Sequence, residues 1–199
     1  VNCLADADEE LSAIRGFWRI RSHTYTSSSS PAMASGSYQL SVPTTTPIFE
    51  SPYKLYYRDS GVPKEVRIMS RSQWLPRSDT SQSDYPRFAS LVQTASAKQL
   101  ELDRKLSSDF VTNIASLYLE YWIEITRLAS AGDESILPNT LRQHIVPVAG
   151  YIFAMAQGDM ALADRLEKKA ELAKEAVLRF DIEHLGGPRQ MQPVGGYAP

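Results

Sequence analysis

Apolar positions recur most regularly in the last third of the chain. Leu141, Ile145, Val148, Ile152 and Met155 follow at spacings of three and four, which puts them on one face of a helix. Residues 136–140 turn the chain into it, with Asn139 as N-cap. Pro147 is expected to kink this helix, because its ring clashes with the carbonyl of Gln143. Gln157-Gly158 ends it and Asp159 caps a second helix. There Ala163, Leu166, Ala170, Ala173, Val177 and Phe180 keep the same rhythm, and Glu167, Lys168, Lys169, Glu171, Lys174 and Glu175 fill the other positions. The pattern predicts an antiparallel helical hairpin with an alanine-rich seam that lets the helices approach closely. Most of the seam is expected to be core. One face of it, Leu166, Ala170, Ala173 and Val177, is the candidate subunit contact.

Alternation replaces this rhythm in the middle of the chain. Residues 54–57 and 65–69 predict strands, separated by the turn-forming run Asp59-Ser60-Gly61-Val62-Pro63. Residues 88–92 and 99–102 predict a second pair, and 37–42 a short strand inside a Ser/Thr/Pro-rich loop from 22 to 47. The longest alternating run is 116–125, with Leu117, Leu119 and Tyr121 on one face and Tyr118, Glu120 and Trp122 on the other. Residues 76–86 are polar and predict a loop. Near the start, Leu4, Leu11, Ile14, Phe17 and Trp18 predict a helix over 5–21, with Asp6, Asp8, Glu9 and Glu10 toward its N-terminus and Arg15, Arg19 and Arg21 at its end. The fold class predicted is α+β: a helical bundle made of the N-terminal helix (1–21) and the hairpin (129–185), a central β-rich insertion (22–128) and an extended C-terminal arm (186–199).

Composition narrows the function. The chain has 199 residues, a net charge of −2 and 22% charged residues, which excludes a strongly basic nucleic-acid binder and an acidic disordered chain. One cysteine, Cys3, leaves no internal disulfide and no cysteine-rich zinc site. No run reaches the roughly 18 apolar residues a membrane span needs. The start lacks a basic segment followed by an apolar one, so no export by signal peptide is expected.

Chemistry-bearing motifs are absent: there is no phosphate-binding Gly-rich loop, no His-Glu-x-x-His and no Gly-x-Ser-x-Gly. His23, His144 and His184 are far apart, and His144, between apolar residues, reads as a partly buried helix residue. The serines 27–30 read as loop rather than nucleophile. The aromatic residues of the middle region read as strand packing rather than as a stacking platform for single-stranded nucleic acid. No enzyme and no cofactor or metal are expected. The enzymatic alternative would use Glu120 or Glu124 as acid or base, and needs residues 116–125 to be helical.

Several features in sequence order support a resemblance: the aromatic-Arg string Phe17-Trp18-Arg19, the Tyr38-Gln39-Leu40 strand, the Tyr85–Phe88 step, Tyr121-Trp122, the acidic loop Asp133-Glu134-Ser135-Ile136-Leu137-Pro138 and the helix junction Ala156-Gln157-Gly158-Asp159-Met160-Ala161-Leu162-Ala163. In this order the chain resembles the head-to-tail adaptor (connector) proteins of tailed bacteriophages, especially tail-tube-A-like adaptors of short-tailed phages. The resemblance implies a structural virion protein of the phage neck, assembled in the host cytoplasm. It implies a homo-oligomeric ring of twelve copies beneath the portal protein, which extends the channel for double-stranded DNA without sequence-specific binding and docks the tail nozzle or tube, with tail fibres as further candidates. No membrane is involved. In such a ring the Gly/Pro/Gln tail would clamp the portal through Gly187, Pro188, Arg189, Met191, Pro193, Val194 and Tyr197, and Arg15, Arg19 and Arg21 are candidates for the DNA channel. A gatekeeper or tail completion protein is the alternative within the virion.

Overall fold

Helix and strand alternate along the chain in an order that divides it into two units. In chain order the elements are α1 (Cys3–Ala13), β1 (Ile20–Tyr25), β2 (Gln39–Ser41), β3 (Phe49–Asp59), β4 (Val62–Ile68), α2 (Arg71–Trp74), β5 (Ser83–Asp84), β6 (Phe88–Gln93), β7 (Lys98–Leu102), β8 (Lys105–Leu106), α3 (Ser108–Asn113), β9 (Leu117–Ile123), α4 (Asn139–Arg142), α5 (Ile145–Gln157) and α6 (Met160–Leu185). They come from a computed structural model that describes residues 2–14, 16–44, 48–93, 97–125, 127–130 and 133–185, with side chains described as far as Phe180. Ile20–Glu124 form one unit, and the residues before and after that span form the other.

The first unit is a seven-stranded sheet in the order β1-β9-β3-β4-β6-β7-β2, curled into a half-barrel. All neighbours are antiparallel except β4 and β6, whose parallel crossover carries α2. The β3–β4 hairpin turns on Ser60 and Gly61, with φ of 52° and 82°, the left-handed pair that a two-residue turn requires. On β9, Leu117, Leu119, Tyr121 and Ile123 are buried and the intervening residues half-buried, as the alternation predicts. The half-buried face pairs its rings across strands: Tyr56 stacks on Tyr118 at 5.2 Å, and Tyr53 meets Trp122 edge-on at 5.5 Å. Lys54 lies over the Tyr56 ring at 5.3 Å, and the rings serve one another as cross-strand pairs. Asp103, fully buried, accepts the backbone N–H of Arg87 at 3.0 Å and of Phe88 at 3.2 Å, and the Arg104 Nε–H at 3.1 Å.

The expected fold class is corrected here. The chain is a mixed α/β fold in which the large sheet is the principal element, and not a helical bundle bearing a β insertion. The reason is long-range pairing. Local alternation marks β3–β4 and β6–β7 as separate hairpins, whereas β9 joins β1 and β3, matching Arg21 with Tyr121 and Leu55 with Leu119. The helix expected over 5–21 is also shorter. It stops at Ala13, because Ile14 is already extended at ψ 119°, and residues 20–25 are strand.

The second unit packs α1, α5 and α6 around Ala7, Leu11, Trp18, Leu137, Leu141, Val148, Ala170, Ala173 and Val177. Two acids of α1 make ion pairs on the surface of this unit. Asp6 pairs with Arg127, and Glu10 lies 2.5 Å from Lys174. The continuous helix expected from Leu141 is split into α4 and α5. Its break falls at Gln143-His144, because Pro147 has no N–H to donate to the Gln143 carbonyl, and Pro147 then occupies the first turn of α5, where N–H groups lack helical partners anyway. Asn139 is the first residue of α4 and Pro138 holds the cap position.

Candidate assembly surface

The α5–α6 hairpin is tied by its turn. Gly158 takes the left-handed conformation at φ 73°, its N–H reaches Met155 O at 3.1 Å, and the Asp159 N–H reaches Ala154 O at 3.1 Å. Asp159 then caps α6, its Oδ1 accepting the Leu162 N–H at 3.0 Å. These bonds fix what the turn displays. Phe153, Met155, Met160 and Leu162 flank it and are exposed by 51, 45, 56 and 37%. Val146, seven residues before Phe153 and so on the same side of α5, is 66% exposed. Farther along α6, Leu172 and Leu178 are also exposed.

The candidate subunit contact lies elsewhere. Ala170, Ala173 and Val177 are buried within the protomer, against α1 and α5, and Leu166 is half-buried. Leu166 Cδ1 would be 3.5 Å from a Cβ placed on Gly150, so the seam is closely packed. Met155, expected on the core face, points outward, and Ala154 is buried in its place. Phe153 lies off the stripe, whereas Met160, three residues before Ala163, and Leu162, four before Leu166, keep its spacing and are exposed all the same. A signal was nonetheless present: residues 145–157 include no Asp, Glu, Lys or Arg, which is more apolar surface than one buried face needs.

The other candidates are placed as follows. Arg19 is 4% exposed and its Nη1–H reaches the Ala13 carbonyl at 3.3 Å, so its guanidinium faces inward. Arg21 is exposed on β1 and its Nη1–H donates to the Ile20 carbonyl at 3.0 Å. Arg15, and the arm residues Gly187, Pro188, Arg189, Met191, Pro193, Val194 and Tyr197, lie outside the described residues. Glu120 and Glu124 do not share a helical face, since β9 is a strand, and Glu124 is 2.9 Å from Lys98. Ser29 is engaged in its own turn, its Oγ–H donating to carbonyls of Thr26 and Pro31. His144 is half-buried just before α5. Among the described residues no group of three or more His, Cys, Asp or Glu is placed to hold a metal ion, and no helix is long and apolar enough to cross a membrane.

Electrostatics in the helical unit centre on Asp8. Its carboxylate is 2% exposed, and burial holds its pKa above the usual carboxylate range, against the opposing hydrogen bond from Ser135 and the charge of Arg142. Asp133 behaves oppositely. It accepts the N–H groups of Ala129 and Ser130 at 2.7 and 2.8 Å, which hold its pKa below the usual range.

No protein-family model matches the chain. No curated protein sequence matches it either. The exposed apolar residues of the hairpin are each about half covered already, so covering the rest would be worth on the order of 1 kcal/mol per side chain.

Proposed function

We propose that this chain is a structural virion protein, a head-to-tail adaptor that assembles as a ring, binds the portal of a tailed phage and offers a docking platform to the tail. The observation that carries it is the set of exposed apolar side chains beside the hairpin turn, Phe153 and Met155 on α5 and Met160 and Leu162 on α6, the members of each pair about 200° apart so that more than one side of the hairpin carries them. Side-by-side packing of hairpins around a ring would bury them. The ordered series of residues from Phe17-Trp18-Arg19 to the Gly158-Asp159 junction adds the family resemblance. The near-neutral charge suits a channel wall along which DNA must slide, since a dense array of phosphate contacts would hold it. In this proposal the portal is gripped by residues 187–197. Twelve such arms reinforce one another, because each docked arm raises the effective concentration of the next.

The test is electron microscopy of the purified chain, alone and with the portal protein of the same genome. A symmetric ring on the portal, weakened by deleting residues 186–199, is the expected result. A chain that stays monomeric with the portal present overturns the proposal.

A further inference from the structure

A cleft in the sheet unit is lined by Arg67 and Ile68 at the end of β4, Met69 just after it, Gln73 within α2, Arg77 shortly after α2, and Phe88 at the start of β6. We infer that this cleft binds the phosphate group of a small phosphorylated molecule, a site independent of the assembly role proposed above.

The charge of the cleft is uncompensated. Residues 67–77 contain three arginines and no Asp or Glu, in a chain whose net charge is −2. Arg71 is neutralised: it pairs with Glu101 and lies over the Trp74 ring at 4.3 Å. Arg67 and Arg77 have no ion pair among the described residues and both line the same cleft, which therefore presents two positive charges that an anion could join. The Arg67 backbone and the Arg77 guanidinium are held in place. The Arg67 backbone N–H donates to Arg87 O at 2.9 Å in the seam between β4 and β6, and Arg77 Nη1–H donates to Gln73 O at 2.7 Å. Guanidinium groups offer paired donors in a planar fork that matches two phosphate oxygens, and the Gln73 amide can add another donor.

The floor sets the rest of the ligand. Ile68, Met69 and Phe88 are apolar and half-buried, so a flat or apolar group attached to the phosphate has a surface to cover. The cleft encloses about 260 Å³, room for a phosphate and a few attached atoms. A nucleic-acid backbone would instead need a stripe of basic residues tracking successive phosphates.

The experiment is calorimetric titration of the full chain with inorganic phosphate, with phenyl phosphate and with a short DNA duplex. Saturable binding of both small ligands is expected, with phenyl phosphate the tighter because its ring covers the apolar floor. Arg67→Gln and Arg77→Gln should each weaken it by about tenfold or more. Arg58→Gln, an exposed arginine on β3 outside the cleft, should change nothing, and thermal melts of all three variants should match the parent because each side chain is exposed. The inference fails if neither phosphate nor phenyl phosphate saturates by about 20 mM, if Arg58→Gln weakens binding as much as the cleft variants do, or if only the duplex binds.

Discussion

The Trp18 ring lies directly over the backbone of Gly16, so near that a Cβ on Gly16 would stand 2.3 Å from Trp18 Cζ3. Trp18 is 4% exposed and belongs to the core of the helical unit, so it cannot swing into solvent without opening that core. Gly16→Ala is therefore expected to destabilise the unit by about 1–3 kcal/mol, the usual penalty of overpacking. Chemical denaturation followed by Trp fluorescence checks this, and an unchanged midpoint would show that the ring has room to move.

Asp8 makes stability depend on pH with a defined sign. Burial raises its folded pKa above the unfolded value. The stability linked to its protonation is fully present below the unfolded pKa and is lost as pH rises through the folded one. Asp8→Asn keeps a group able to bond Ser135 but removes the titration. It is expected to be more stable than the parent at neutral pH and to show a difference that shrinks on acidification. Subtracting melting curves of parent and variant across pH 3 to 7, roughly the carboxylate range, isolates this group from Asp79, Asp84 and Asp133, whose lowered values act in the opposite direction.

Asp103 fastens the start of β6. Asp103→Ala would leave the N–H groups of Arg87 and Phe88 without their acceptor and Arg104 without one of its partners. A loss of about 3–5 kcal/mol in the sheet unit is expected, the range for removing one member of a buried charged pair. Hydrogen exchange should show the amides of residues 87 and 88 losing protection first.

Substitutions on the hairpin should separate folding from assembly. Phe153→Ser with Met160→Ser removes two half-exposed side chains and is expected to lower monomer stability by about 1–2 kcal/mol while leaving the monomer folded. If the hairpins pack against one another, the same change should dissolve the oligomer in analytical ultracentrifugation.

Local order was legible where one face alone decides it. The α5–α6 seam and the alternation of β9 both follow from spacing, because Ala170, Ala173 and Val177, and Leu117, Leu119 and Tyr121, each face a single core. Partnership across the chain was not. Nothing near Ile20 announces that it will pair with Trp122, so Arg19 and Arg21 look like the basic end of a helix instead of the entry to a strand. The six residues of α3 are too few to show a period, and only Ser107, whose Oγ accepts the Phe110 N–H at 3.0 Å, marks its start. Phe153 was hidden for a different reason, since an apolar residue off the stripe looks like noise, and Met155, Met160 and Leu162 keep the stripe's spacing yet are exposed, which spacing cannot show. Paired arginines in a cleft likewise require a tertiary crossover, here the one that sets Phe88 beside Arg67.

The pairing of Ile20 with Trp122 has a kinetic meaning. The helical unit draws α1 from one end of the chain and α5 and α6 from the other, so its own contacts close a very long loop. Once β1 and β9 zip together, the two stretches that leave the sheet start from adjacent strands, and the loop that remains is short, which removes most of the entropy cost of bringing α1 back to α5. The sheet thus acts as a clasp. It should form first during synthesis, and a lesion in β1 or β9 should slow the docking of α1 onto α5.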